Sequence, residues 1–495
     1  MLEQYRRDYA GFNAAAMREH YLFGSGQKAR LDLAPLYDRY NDLFSPDAIN
    51  QLKQQLDETS AHFEADRASL SHLLQFAVEQ FLDDAAKELT EEINDYEATA
   101  TVEMAGRAMT FQEVVVAVAT ERDRATRLAL NGKRLAIIAA ANDLRAERLA
   151  RQHKAARSLG YENYTTLFEQ LRRLDYDEVW RMAAPLLERT EPLYVARLNE
   201  TLRRDVGVSV EEAERSDYLH LIRLTRYDAR FPASRLIEVY RKTMAGLGIN
   251  TDAQSNIEID SAIRPNKKPR AYCIPIHVPD EIKLMIRPAG GQADYKALLH
   301  EAGHSQHYAW TAASLRPEFK YTGDYALTES YAFLFHHLLT DRAWVSEFLG
   351  FTNSREFIES LMLVELMMAR RSIAKLGYER RLHAGEDFAR AADDYAESLT
   401  EATRFATSKT EYLSDTDEAF YVANYVRAWA FASQLREHIK SRFGERWWAS
   451  PRAGNFLKEI WETGDRYSAD EMASQIGIGP LSFDLVIDEF NEALR

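Results

Sequence analysis

Gly290-Gly-Gln-Ala-Asp294-Tyr-Lys-Ala-Leu-Leu-His300-Glu301-Ala-Gly303-His304-Ser-Gln-His307 is the stretch on which the reading of the whole chain turns. Gly290-Gly291 can turn the backbone, and Asp294 is the expected cap of a helix that carries the histidines well inside it. Residues four apart on a helix share a face about one turn along, so His300 and His304 can direct two imidazole nitrogens at one ion. Zinc suits that pair, because imidazole nitrogen is a preferred ligand and zinc accepts tetrahedral coordination. Glu301 falls at the edge of the same face, where it can accept a proton from water instead of occupying a coordination site. With 13 histidines in 495 residues, chance produces this spacing in roughly a few per cent of such chains. The competing reading is two ordinary histidines on an amphipathic helix.

The segment that follows weighs against that alternative. A catalytic zinc needs a third protein ligand and an open position for solvent. Tyr321-Thr-Gly-Asp324-Tyr-Ala-Leu-Thr-Glu329-Ser-Tyr-Ala-Phe-Leu-Phe335 reads as a loop, a cap at Asp324 and a strongly apolar helix. Glu329 is the single carboxylate between Tyr325 and Thr340. Buried among those side chains it requires a cation or hydrogen bonds to compensate it, and otherwise it sits exposed on the polar stripe. Upstream, Ala271 to Val278 and Glu281 to Ile286 read as two strands joined at Pro279-Asp280, with Pro275 confining the first to an edge or a bulge.

Outward from this centre the chain reads as helix after helix. Ser45, before Pro46, is the expected cap of a run to about Glu97. A small hairpin is expected around Ala105-Gly106, followed by long helices from Thr110 to about Leu159 and from Asn163 to Val206. The pattern changes near residue 250, so two lobes are expected: an N-terminal helical lobe over 1–245, and a catalytic lobe over 246–495 holding the small sheet. Composition narrows the function. Lysine plus arginine total 62 against 77 acids, a formal charge of −15, which argues against nucleic acid or anionic membrane as a partner. The lone cysteine, Cys273, excludes an intramolecular disulfide and reads as a small buried residue. The start carries no signal-peptide pattern and no run of 18 apolar residues occurs, so a soluble cytoplasmic protein is expected. Phosphate-cradling glycine motifs are absent. His336-His337 does not read as a second metal site, since adjacent helical residues point about 100° apart.

His300-Glu-Ala-Gly-His304-Ser-Gln-His307, followed 25 residues after His304 by the glutamate of Leu327-Thr-Glu329-Ser, resembles thimet oligopeptidase, oligoendopeptidase F and their relatives. Those are gluzincins, zinc peptidases in which a glutamate on a second helix is the third ligand. Angiotensin-converting enzyme and certain thermostable zinc carboxypeptidases share the wider fold. The extra histidine at His307 and the preceding hairpin, which in that family aligns the peptide, match as well. The resemblance is specific from about Ser216 to Glu329.

It implies a mainly α, two-lobed metallopeptidase with a deep cleft and a small antiparallel sheet beside the active-site helix, acting on short peptides. It implies one zinc ion held by His300, His304 and Glu329, with Glu301 as general base and later proton donor. His307 would lie behind the ligands or near the substrate; its alternative is a histidine hydrogen-bonded within the helix face. The family also supplies a tyrosine-bearing helix that stabilises the oxyanion, matched here by Tyr421-Val-Ala-Asn-Tyr425-Val-Arg427. Tyr425, Tyr421 or Arg427 would take that role, unless the tyrosines are packing residues. The pattern departs from the thimet type at Thr416 or Asp417, where a histidine is usual, and at Ala428, where a tyrosine is usual. Two rivals remain. One is a carboxypeptidase or dipeptidyl carboxypeptidase, using Arg427 or the basic loop Lys267-Lys268-Pro-Arg270 to hold a terminal carboxylate. The other is a non-catalytic zinc-containing helical binding protein.

Overall fold

The computed structural model describes residues 2–385 and 388–495. The fold is mainly helical, with a two-stranded hairpin and one small sheet. The chain forms two compact units, each assembled from separated segments. The first comprises Met1–Gln80, Arg226–Ile358 and Arg427–Leu485; the second comprises Phe81–Thr225, Glu359–Val426 and Val486–Arg495. This partition differs from a single division after residue 245, because segments far apart in sequence pack into one core. No described helix is long and apolar enough to cross a membrane.

In the second unit the expected hairpin is present as β1 (Thr101–Met104) and β2 (Arg107–Thr110). Gly106, at φ 77°, takes the left-handed conformation that the tight turn needs. The long helical runs are more broken than their periodicity predicts. Thr110 opens Phe111–Thr120 with a capping box, and Asp123 accepts from the Thr126 amide to start Arg124–Ala140. Asn163 caps Tyr164–Arg172 as its position suggests, but Asp175 then starts a further helix at Tyr176. Side chains that bond free amides end one helix and begin the next, and apolar periodicity does not register them.

The first unit carries the motif segment and the small sheet. Ser45 accepts from the Ala48 amide and caps Pro46–Glu58, and a second helix, Glu64–Thr99, belongs to this unit as far as Gln80. The sheet contains β3 (Ile257–Asp260), β4 (Tyr272–His277) and β5 (Glu281–Met285), in the order β3-β5-β4. β4 and β5 are the expected antiparallel pair, with β4 at the edge and its register broken between Pro275 and His277. β3 is an addition. It pairs parallel to β5 and makes the sheet mixed instead of purely antiparallel. Four residues are too short a run to stand out in sequence, and their partner lies more than twenty positions away.

After β5 the backbone turns through Gly290 and Gly291, at φ 85° and 93°. A Cβ on Gly291 would lie 2.7 Å from Asp228 Oδ1, so this turn requires glycine on both conformational and steric grounds. The motif helix runs Gln292–Trp310. Asp294 is not its cap. It sits in the first turn, and its carboxylate accepts from the Ala289 and Gly290 amides at 2.7 and 2.8 Å. The carboxylate helix, Tyr325–His336, does begin as expected, with Asp324 accepting from the Ala326 amide. It is buried from Ala326 through His336.

Candidate metal centre and active site

The two site helices meet where the motif has its glycine. A Cβ on Gly303 would stand 2.5 Å from the Tyr331 carbonyl oxygen and 2.6 Å from Ala332 Cα. Only the missing side chain lets the backbones approach this closely, and that approach brings Glu329 to the histidines.

Three donor atoms converge there. His300 Nε2 and His304 Nε2 lie 3.3 Å apart, and Glu329 Oε2 lies 3.4 Å from the first and 3.7 Å from the second. A tetrahedral zinc with bonds of about 2.1 Å requires ligand atoms about 3.4 Å apart, so this triangle matches one face of such a polyhedron. The far nitrogens are held from behind. His304 Nδ1 is 2.9 Å from Thr328 Oγ1, and His300 Nδ1 is 3.1 Å from His336 Nδ1. Outer partners of this kind set the tautomer that leaves Nε2 available to a metal. Side-chain exposure is 5% for Glu329, 12% for His304 and 21% for His300, so the cluster is closed on the carboxylate side and open on the imidazole side. The donor set, its spacing and its single open side fit a catalytic zinc ion.

Burial opposes charge on His300, but the Glu329 carboxylate outweighs it and raises the His300 pKa. Burial lowers His304 to about 4. Glu301 is half-buried, and its Oε2 accepts from the Cys273 amide of β4 at 2.7 Å. Burial pushes its carboxyl up to about 7, against the opposing pull of His300. Cys273 itself is a packing residue whose thiol is driven upward by burial, in keeping with its sequence reading.

The other expected site residues are placed differently. His307 is fully buried, with Nδ1 3.2 Å from Thr328 Oγ1, and burial lowers its pKa to about 3. It is enclosed within the protein beside Thr328, on the same helix as His300 and His304. Arg427, the candidate for substrate or oxyanion, is engaged within the protein. It is 2% exposed, donates to Asp324 Oδ1 at 2.6 Å and is also paired with Asp470. Its charge serves the cap of the carboxylate helix. Tyr421 and Tyr425 share a face of Tyr421–Phe443 as their spacing predicts, with ring centroids 5.2 Å apart at 71°. Both fall in the second unit, and Ala428 is fully buried in the first. Sequence reasoning did not single out Thr328 or assign His336 a role. The only available signal was their placement one residue before, and seven after, Glu329 on the same helix.

Neither a family model nor a curated protein matches this sequence. Solved structures do resemble it. One is described as "a putative oligoendopeptidase F from Bacillus anthracis str. Ames"; it superposes with a TM-score of 0.72 over 99% of this chain and 90% of its own, at 15% identity. At that identity the likeness establishes the fold, and the chemistry must be argued from the site.

Proposed function

We propose that this chain is a zinc peptidase that hydrolyses peptide bonds in short peptides. The observation that carries the reading is the triangle of His300, His304 and Glu329 donor atoms, 3.3 to 3.7 Å apart, with the Glu301 carboxylate on the next residue of the same helix. When bound there, zinc supplies a Lewis acid for the scissile carbonyl and acidifies water. Glu301 accepts the proton from the attacking water and returns it to the leaving amine, a double role suited to a carboxyl raised toward neutrality. The Cys273 amide holds one oxygen of that carboxylate and so fixes its orientation. β4, as the edge strand that supplies this amide, is suited to align an extended peptide by main-chain pairing. Tyr425, or Tyr421, is proposed as the donor to the oxyanion, on the family resemblance.

The test is the metal content of the purified protein together with digestion of a random peptide mixture read by mass spectrometry. We expect about one zinc per chain, and cleavage that a chelator stops and added zinc restores. Stoichiometric zinc without turnover would instead favour the non-catalytic binding protein.

An exopeptidase of the same fold is the second reading, and two of its candidate cations are already engaged. Arg427 serves Asp324 and Asp470, while Lys267 Nζ is buried on the Asp260 carbonyl and carboxylate at 2.6 and 3.0 Å. Lys268 and Arg270 remain for a terminal carboxylate. Cleavage of a peptide in both its free-acid and C-terminally blocked forms indicates an endopeptidase; loss with the blocked form indicates the exopeptidase.

A further inference from the structure

We infer that Lys268 and Arg270 are specificity residues that bind a carboxylate of the peptide substrate, about three residues from the bond that is cut. This rests on the peptidase reading above and on β4 as the strand that aligns the peptide. The loop before β4 carries the cations Arg264, Lys267, Lys268 and Arg270. Two of them are engaged within the protein, since Arg264 and Lys267 bond the Asp260 carboxylate at 2.8 and 3.0 Å. Lys268 and Arg270 are exposed, and neither is ion-paired with a carboxylate among the described residues. The chain holds 77 acids against 62 bases, so carboxylates are plentiful, yet this pair is left to solvent.

Their placement follows from the sheet. The Cys273 amide is not given to β5; it donates to Glu301 Oε2 at 2.7 Å, so this point of the β4 edge is level with the proposed base. Outward positions alternate along an antiparallel edge. Beyond Cys273 the next one is Pro275, which has no N–H, and the register breaks between it and His277. A peptide therefore pairs more regularly with the other half of the edge, which leads back through Ala271 to Arg270, about 10 Å of extended chain from Cys273. Lys268 is fixed at the same end. Its amide donates to the Gly24 carbonyl at 2.9 Å, and its Nζ lies 4.8 Å from the Phe23 ring centroid and 5.8 Å from that of Tyr272. Aromatic faces hold an ammonium without neutralising it. Burial and the charge of Arg270 both lower the Lys268 pKa, and a carboxylate bound between the two cations relieves their repulsion. The guanidinium of Arg270 adds planar, two-pronged donation that matches a carboxylate.

The test uses the zinc-loaded full chain and matched peptides built around a bond that it cuts in a random mixture. In one arm the peptides are blocked at both ends and differ only in Glu or Gln, placed about three residues to either side of that bond. In the other arm a neutral peptide ending at that distance is compared as its free acid and its amide. The parent is expected to prefer the carboxylate by about two- to fivefold in kcat/KM for each cation engaged. The preference is expected to act through KM and to weaken at high salt. Lys268→Gln and Arg270→Gln are each expected to bring the ratio toward one. A preference in the first arm assigns the site to an acidic side chain, and one in the second arm alone assigns it to a chain terminus. Equal rates within every pair, or a preference that neither substitution alters, would overturn the inference while leaving the peptidase reading intact. A parent that cleaves no peptide with zinc present would remove the peptidase reading and the inference with it.

Discussion

At the scale of single residues, the proposed chemistry depends on how one carboxyl is held. Glu301 is tied at Oε2 by the Cys273 amide and raised by burial, which suits the proposed role of taking and returning a proton. A cation held by His300, His304 and Glu329, as proposed, would work in the opposite direction. Glu301→Gln preserves shape and the amide contact but removes the base. It is expected to retain zinc and to lower peptide turnover by about 10²- to 10⁴-fold, measured by metal analysis and kinetics on the same sample. Unchanged turnover would remove Glu301 from the mechanism.

At the scale of elements, the site depends on two helices held closer than ordinary side chains permit. Gly303→Ala places a Cβ against the backbone at Tyr331 and Ala332, which cannot rotate out of the way. The helices must separate, at a cost of about 1–3 kcal/mol or more, and Glu329 withdraws from the imidazoles. The expected result is a lower thermal midpoint together with weaker zinc binding; a parent-like protein on both counts would contradict the close-approach argument. The start of the carboxylate helix has its own dependency. Burial alone would raise the Asp324 pKa, but Arg427 outweighs it and holds the carboxyl below its usual range. Arg427→Met leaves Asp324 and its cap without a cation in a buried setting, a loss of about 3–5 kcal/mol. Urea unfolding measures it, and an unchanged midpoint would mean that the pair contributes nothing net.

At the scale of the whole molecule, stability is expected to depend on pH through histidines buried in the neutral form. In the second unit His153 Nε2 lies 3.0 Å from His383 Nδ1. Burial lowers His153 to about 4 and takes His383 well below its ordinary value. Unfolded, both take up protons near pH 6.5. Below that value the unfolded chain binds more protons than the folded one, so stability is full above about pH 6.5 and is lost as pH falls toward 4. His153 alone accounts for about 2–3 kcal/mol of this. Urea midpoints at pH 7.5 and 4.5 test it: a clear decline is expected in the parent and a shallower one in His153→Gln. Equal slopes for the two would acquit the pair.

Local features were legible without coordinates, because a few adjacent residues determine each of them. The helical spacing of His300 and His304, the caps at Ser45 and Asp324, and the β4–β5 hairpin with its irregular Pro275 all follow from backbone geometry and hydrogen bonding over a handful of positions. Glu329 was within reach because a lone acid in an apolar helix demands a partner. The fate of Arg427 was not, since the guanidinium pairs with Asp324 and Asp470, 103 and 43 positions away, and nothing local distinguishes such an arginine from one that meets substrate. The same holds for β3, for Thr328 and for the interleaved units. Sequence by itself determined which groups are candidates for the chemistry, because helical period and side-chain type are properties of short segments. Tertiary structure alone decided which of them share a site, because that depends on the close packing of segments separated by tens to hundreds of residues.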